Sequence, residues 1–200
     1  LTEEHFNTTS SANHQPYSYS KLIAEKEAWK ISDSQDQWKL VVINPSFVLG
    51  PSLANTSDSE SLNFMKDILK GKFFFGAPDL MFGFVDVRDV AMAHIHALEN
   101  ENSEGRHILA ERTMDVMGLG QFIRNNFGNK YKLPLMKAPK FILFLIGGLF
   151  GVTPKFVKRN VGHKILLNSD KSRNALGLQY HNFNDTIKDM VNQMHEQKLV

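Results

Sequence analysis

Cysteine is absent from all 200 residues, which excludes disulfides, thiolate metal sites and a cysteine nucleophile and is compatible with a reducing compartment. No Gly-x-Gly-x-x-Gly or Gly-x-x-Gly-x-x-Gly turn occurs, so the chain holds no glycine-rich phosphate cradle of that kind. No apolar run is long enough for a simple membrane span: Phe141 to Phe150 is about half the ~20 residues a bilayer-crossing helix needs. The chain opens Leu-Thr-Glu-Glu, with neither a signal-like nor a transit-like segment. Acidic residues are missing from Val116 to Ser169, where nine arginines and lysines stand. Those cations accompany apolar residues rather than a recognised stacking module, so nucleic-acid binding is not expected. Hydrophobic residues make up 42% of the chain and the net charge is only +2, values that fit one domain or one and a half with a buried core.

The stretch Pro16-Tyr17-Ser18-Tyr19-Ser20-Lys21 opens a segment of helical character that should run to about Ile31. On a helix, positions i and i+4 share a face, so Tyr17 and Lys21 can enter one site. A cation near a phenol stabilises the phenolate and lowers its pKa, which suits general acid–base chemistry. Tyr19 stands on another face from Lys21, so Tyr17 is preferred. Ala24 and Ala28 continue the Tyr17–Lys21 face, and their small size would let the helix lie close to a sheet.

Pro16-Tyr17-x-Tyr19-Ser20-Lys21, followed by Ala24-Glu25-Lys26 and Trp29, resembles the active-site helix of the extended short-chain dehydrogenase/reductases, in particular the dihydroflavonol-reductase-like branch. Two further blocks stand in the order that family leads one to expect, Asn44-Pro45-Ser46-Phe47-Val48-Leu49-Gly50-Pro51 and Phe84-Val85-Asp86-Val87-Arg88-Asp89-Val90-Ala91. A weaker likeness runs through Lys171-Ser172-Arg173 and Leu176-Gly177-Leu178. The resemblance implies an α/β fold: the C-terminal portion of a Rossmann-type parallel sheet with a smaller, mostly helical substrate-binding domain. It also implies NAD(P)H-dependent reduction of a ketone or aldehyde, with Tyr17 as proton donor and Lys21 lowering its pKa and holding the nicotinamide ribose. Pro45, Ser46 and Val48, with Ser61 as a weaker candidate, would meet the nicotinamide end of the cofactor. NADPH is expected over NADH from the branch resembled. The family's glycine-rich turn and its catalytic serine normally lie upstream of the tyrosine, so the chain reads as the C-terminal part of a longer reductase. Ser10 and Ser11 read as loop residues. A nucleotide-sugar epimerase or dehydratase, a hydroxysteroid dehydrogenase/isomerase, or a non-catalytic fragment are the alternatives on the same scaffold.

Along the chain, residues 1–14 read as a loop and Lys39–Ile43 as a parallel strand covered on both faces. Leu62–Lys70 reads as a helix stopped by Gly71, and Lys72–Gly76 as an extended segment. Phe84-Val85 reads as a strand leading to a helix capped at Asp86, with an apolar stripe at Val90, Ala93, His94, Ala97 and Leu98. Asp86, Arg88 and Asp89 are better explained by capping and an ion pair than by catalysis. His94 and His96 diverge on a helix and supply no metal site. Arg106–Ala110 reads as a strand, and Thr113 or Asp115 as the start of a helix interrupted by Gly118 and Gly120. Ser169-Asp170 should cap a short helix ending at Leu176, and Asn184 or Asp185 should open a last helix burying Ile187, Met190, Val191 and Met194. Residues 1–51 are expected to close the Rossmann half and 52–200 to form the substrate domain, with 84–99 returning to the first. A small lipophilic carbonyl substrate, a cytoplasmic location and a possible homodimer complete the expectation. The basic and apolar stretch 130–164 has two readings, a cover over the substrate pocket or a peripheral contact with an anionic membrane.

Overall fold

The computed structural model describes residues 1–53, 59–150 and 153–200. Helix α1 (Pro16–Ser32) leads through a loop to strand β1 (Val41–Pro45), and β2 (Phe47–Leu49) follows after a break at Ser46. Helix α2 (Glu60–Leu69), strand β3 (Met81–Asp86), helix α3 (Val87–Glu99) and strands β4 (Gly105–Leu109) and β5 (Arg112–Asp115) come next. The remainder is helical: α4 (Val116–Phe127), α5 (Lys140–Ile146), a 3₁₀ turn (Gly147–Phe150), α6 (Pro154–Asn160), α7 (Asp170–Ala175) and α8 (Phe183–Glu196).

Strand β1 pairs in parallel with β4, β2 in parallel with β3, and β3 antiparallel with β5. Single hydrogen bonds join the two ladders, from Ser46 N–H to the Leu109 carbonyl at 2.9 Å and from Glu111 N–H to the Phe84 carbonyl at 2.8 Å. The architecture is α/β with a parallel core, as expected.

Successive residues of a strand point to opposite faces, and β3 shows what that does. Phe84 enters a core with Met65, Ile68, Leu119, Ile123, Phe183 and Ile187 from α2, α4 and α8. Val85 enters a second core on the other side, with Ala93, Leu109, Leu176 and Leu178. Both faces are covered, so the strand carries Phe84 and Val85 consecutively rather than alternating apolar with polar. Removing the Phe84 ring would cost about 3–5 kcal/mol.

Several local expectations need correcting. Lys72–Gly76 is a series of turns, held by Phe74 N–H to the Gly71 carbonyl and Gly76 N–H to the Phe73 carbonyl at 3.0 and 3.1 Å; hydrogen bonds within the segment replace a ladder. Strand β1 begins at Val41, not Lys39, and its first four residues are only half-buried, because β4 is its one strand neighbour among the described residues. Helix α3 buries Asp89 and Ala93, whereas His94 is exposed and Leu98 is 88% exposed. The carboxylate of Asp89 faces inward to bond His181, which turns the buried stripe away from His94 and Leu98. His96 is the packed histidine, its Nδ1 2.9 Å from the Leu176 carbonyl.

Neither Gly118 nor Gly120 interrupts α4. Asp115 caps the helix by accepting from Gly118 N–H at 2.6 Å, and Gly120 gives Pro134 room, since a Cβ there would stand 2.8 Å from its ring. Strands β2 and β5 were not anticipated. Helix α8 opens one residue ahead of expectation, capped by Asn182, and buries Ile187, Met190, Val191 and Met194 as expected. Among the described residues no helix is long and apolar enough to cross a membrane.

Candidate active site

Helix α1 begins at Pro16, whose missing N–H costs nothing in a first turn. Gln15 ahead of it is left-handed, at φ 54°, and a short bridge between Ser11 and His14 turns the chain into that position. The helix is held through Glu25. Its carboxylate accepts from Arg106 Nε of β4 at 2.6 Å, from Asn44 Nδ2 of β1 at 3.3 Å and from Trp29 Nε1 at 3.2 Å. The Arg106 guanidinium also stacks on Phe6, 4.0 Å from the ring centroid, and donates to the backbone carbonyls of Glu3 and His5.

Eight residues connect α1 to the amino end of β1, so the helix returns antiparallel to the strand. Glu25 meets β1 near its carboxyl end. Tyr17, two turns further toward the helix N-terminus, therefore lies about 12 Å beyond that contact. Ligands of open α/β sheets bind beyond the carboxyl ends of strands.

Tyr17 and Lys21 stand on one face, with the Lys21 Nζ 5.6 Å from the Tyr17 ring centroid. That face is open: Tyr17 is 74% exposed, and no side chain among the described residues bonds its hydroxyl. Ala24 is exposed as well, contrary to the expectation that it packs on the sheet. The half-buried side of α1 carries Ser18, Tyr19, Leu22, Glu25, Ala28 and Trp29, because the Glu25 ion pair turns it toward β1 and β4.

Pro45 ends β1 and is exposed. Ser46 follows, and its Oγ is buried without a hydrogen-bond partner among the described residues, as is Asn44 Oδ1. Val48 and Ser61 line one cleft together with Gly50, Arg88 and Met190. The structure thus brings Val48 and Ser61 together and sets Pro45 and Ser46 at the strand end, while Tyr17 and Lys21 stand on the neighbouring helix outside that cleft.

The cleft's Arg88 is fixed by charge. It bonds Asp86 at 2.7 Å and Asp189 at 2.8 Å, and Thr186 Oγ1 donates to Asp86 at 2.7 Å. Burial alone would raise the Asp86 carboxyl, but the bonds from Arg88 and Thr186 outweigh it and hold its pKa below the usual value. Asp89 goes the other way. Burial raises it despite the His181 Nδ1 at 2.5 Å. These groups cap α3 and tie it to the α8 region, which accounts for them structurally.

A second cavity, of about 670 Å³, is lined by Phe64, Phe73, Phe82, Ile142, Leu143 and Phe156 among others, with Lys72 its one charged lining residue among the described residues. Phe156 belongs to α6, whose Asn160 accepts from Gln15 Nε2 at 3.4 Å. Helix α6 therefore joins one lining residue of the cavity, Phe156, to the residue two positions before Tyr17. Helix α5, the apolar helix expected over the substrate pocket, supplies Ile142 and Leu143 to this lining. Neither the anchoring by Glu25 nor the phenylalanine lining has a local signal in the sequence: Arg106 comes alongside Glu25 only through β4, and the lining phenylalanines are scattered from position 64 to 156. Among the described residues no group of three or more histidine or acidic side chains could hold a metal ion.

This strand-and-helix frame is matched by known proteins. Residues 2–110 match the NAD dependent epimerase/dehydratase family. A cinnamoyl-CoA reductase of Medicago truncatula is 31% identical over 185 residues, 91% of this chain and 48% of the relative. An NADPH-dependent methylglyoxal reductase of Saccharomyces cerevisiae is 27% identical over 187 residues, 89% of this chain and 50% of the relative. The crystal structure of Gre2 from Candida albicans in complex with NADPH aligns with a TM-score of 0.69 at 31% identity, covering 98% of this chain and 57% of that one. The chain belongs to the NAD dependent epimerase/dehydratase family, on its extended short-chain dehydrogenase/reductase side. It spans about half the length of these relatives.

Proposed function

We propose that the chain carries the proton-donor helix and the substrate cavity of an NADPH-dependent reductase of lipophilic ketones or aldehydes. The observation that carries this reading is the open Tyr17–Lys21 face at the carboxyl side of the sheet, in a chain that also holds an apolar cavity. Reductases among the relatives, including one whose structure holds NADPH, support it.

The residues present fit a nicotinamide cofactor. Ser46 Oγ is a buried hydroxyl without a partner, and such groups are costly unless a ligand or water satisfies them. Pro45, Ser46, Val48 and Ser61 would hold the nicotinamide end, and Lys21 the ribose. The cofactor, when bound, supplies the hydride. Tyr17 donates the proton to the developing alkoxide, and the Lys21 ammonium stabilises the phenolate that remains. Glu25 orients the helix that presents both.

A lining that is apolar but for one lysine among the described residues suits a lipophilic carbonyl better than the polyhydroxyl and diphosphate groups of a nucleotide sugar. We assign residues 1–51 to the cofactor half, with 84–99 returning to it, and 52–200 to the substrate half. The parallel pairing of β3 with β2 supports the return. NADPH and NADH consumption by the full-length protein, against aldehydes and lipophilic ketones, tests the reading. Tyr17→Phe should abolish turnover with either cofactor; undiminished turnover by that variant would end the assignment.

A further inference from the structure

Helix α5 has two apolar sides. Ile142 and Leu143 line the cavity, while Phe141 is 65% exposed, Phe144 41% and Leu145 80%. The exposed side continues onto neighbouring segments. Phe75 and Met136, 87% and 58% exposed, also line the cavity and so form an apolar rim around it. The segments belong together, since Ala77 bridges to Lys137 and Leu135 N–H bonds the Phe74 carbonyl.

Cations recur along the segments that carry this rim and along α6 behind it. Lys137 is neutralised by Asp79 and Asp115. Lys155, Lys158, Arg159 and Lys164 are exposed and make no ion pair among the described residues. Lys140 is likewise unneutralised; its ammonium donates only to backbone carbonyls, those of Val161 at 2.7 Å and Lys158 at 3.4 Å. No acidic residue lies between positions 116 and 169 to offset them. A typical soluble surface mixes signs and scatters its large apolar side chains.

We propose that the α5–α6 face docks on the surface of an anionic bilayer, placing Phe141 and Leu145 among the headgroups and turning the cavity rim toward the acyl region. Exposed aromatic and aliphatic side chains beside uncompensated lysines are the combination that such a surface attracts: apolar burial supplies part of the affinity and the negative leaflet the rest. A purely apolar patch would suit a second copy of the chain, but here like charges would meet across that interface. The consequence for chemistry rests on the reductase reading: carbonyl compounds dissolved in the membrane would enter the cavity without crossing water.

The test is sedimentation of the full-length protein with phosphatidylcholine vesicles, with or without phosphatidylserine. Binding should require phosphatidylserine and fall as salt is raised. Lys155→Gln with Lys158→Gln should weaken partitioning roughly thirtyfold, from the contribution of each basic residue near a charged surface. Phe141→Ser with Leu145→Ser, at exposed positions, should also lose the vesicles while keeping the circular dichroism spectrum. Equal binding to both vesicle types, binding to neither, or binding unaffected by both variant pairs would overturn the proposal. So would a dimer in lipid-free solution that Phe141→Ser and Leu145→Ser dissolve. Because sedimentation reads no turnover, a protein that binds vesicles but reduces nothing would lose the reductase reading alone.

Discussion

Arg106 of β4 reaches across to Glu25 of α1, Nε to Oε1 at 2.6 Å, with the two side chains only 16% and 13% exposed. Few contacts matter more to the site, because no residue of α1 is buried and apolar packing alone does not fix its rotation. The ion pair, with Asn44 and Trp29 on the same carboxylate, decides which face of the helix turns outward. Tyr17 and Lys21 are on that face.

Glu25→Ala should therefore act on both stability and site. It leaves Arg106 and Asn44 without their carboxylate, at a cost of about 2–3 kcal/mol, moderated by the carbonyls that Arg106 retains. Urea denaturation measures the first effect. The second is a fall in kcat with little change in KM, as expected when a proton donor is mispositioned. Unchanged stability would mean that the pair does not hold the helix.

How much of this was legible in the sequence depended on the range of the signal. Pro16, Gly71 and the Asp115 cap mark local boundaries, and the structure places them where the residues suggest. The buried stripe of α8 was legible because Ile187, Met190, Val191 and Met194 recur at helical spacing. By contrast, β5 is four residues containing Arg112 and Asp115, and it is a strand only because β3 lies beside it. The stripe of α3 was legible at Val90, Ala93 and Ala97, which pack in the second core, but not at His94 and Leu98, because Asp89, a charged residue, is an inward one, a choice made by His181 some ninety positions away. The pairing of Tyr17 and Lys21 on one helix face was legible from their spacing, but the support of that helix by Arg106 was not, since a long-range ion pair leaves no periodic trace.

Acid should weaken the fold through Asp86. Its carboxyl is held below the usual value in the folded chain, so the unfolded chain takes up the proton first. Its stabilising contribution is complete above the unfolded value near 3.9 and is lost as pH falls through the lower folded one. Asp115, lowered by Lys137 and by the Gly118 N–H against its burial, adds a contribution of the same sign. Asp89, raised by burial, has the opposite sign and offsets part of it. Urea midpoints should decline between about pH 5 and pH 2. Asp86→Asn should flatten that decline while lowering stability at neutral pH by roughly 1–3 kcal/mol.

Gly83 is a steric gauge for Ser46, where the cofactor is proposed to bind. A Cβ on it would run first into Leu167 Cδ1, the end of a side chain that can turn aside, and would stand 2.9 Å from the Ser46 Cβ, an atom fixed to the backbone where β1 passes into β2. Gly83→Ala should cost about 1–3 kcal/mol through overpacking. It should also displace Ser46, so that NADPH binding to the full-length protein, followed by fluorescence titration, weakens more than binding to Gly118→Ala, whose strain lies at the N-terminus of α4. Equal weakening in both variants would show that Ser46 has no part in holding the cofactor.

The cavity makes the last prediction, and it separates substrate classes. Leu143 and Ile142 look into the space from α5 while Phe64, Phe73 and Phe82 face it from the core side, so an indole at position 143 would occupy volume that a large substrate needs. Leu143→Trp should raise KM for ring-bearing or long-chain ketones by tenfold or more, since the loss of even one or two methylene-sized contacts is worth about 1–3 kcal/mol. A small aldehyde that leaves the cavity largely empty should be turned over at nearly the original kcat/KM, because Tyr17, Lys21 and the Glu25 anchor are untouched. If both substrates suffer alike, the indole has disturbed the helix rather than filled the pocket. If neither does, the lipophilic part of the substrate lies elsewhere, and the cleft formed by Val48, Ser61 and Met190 becomes the place to look for it.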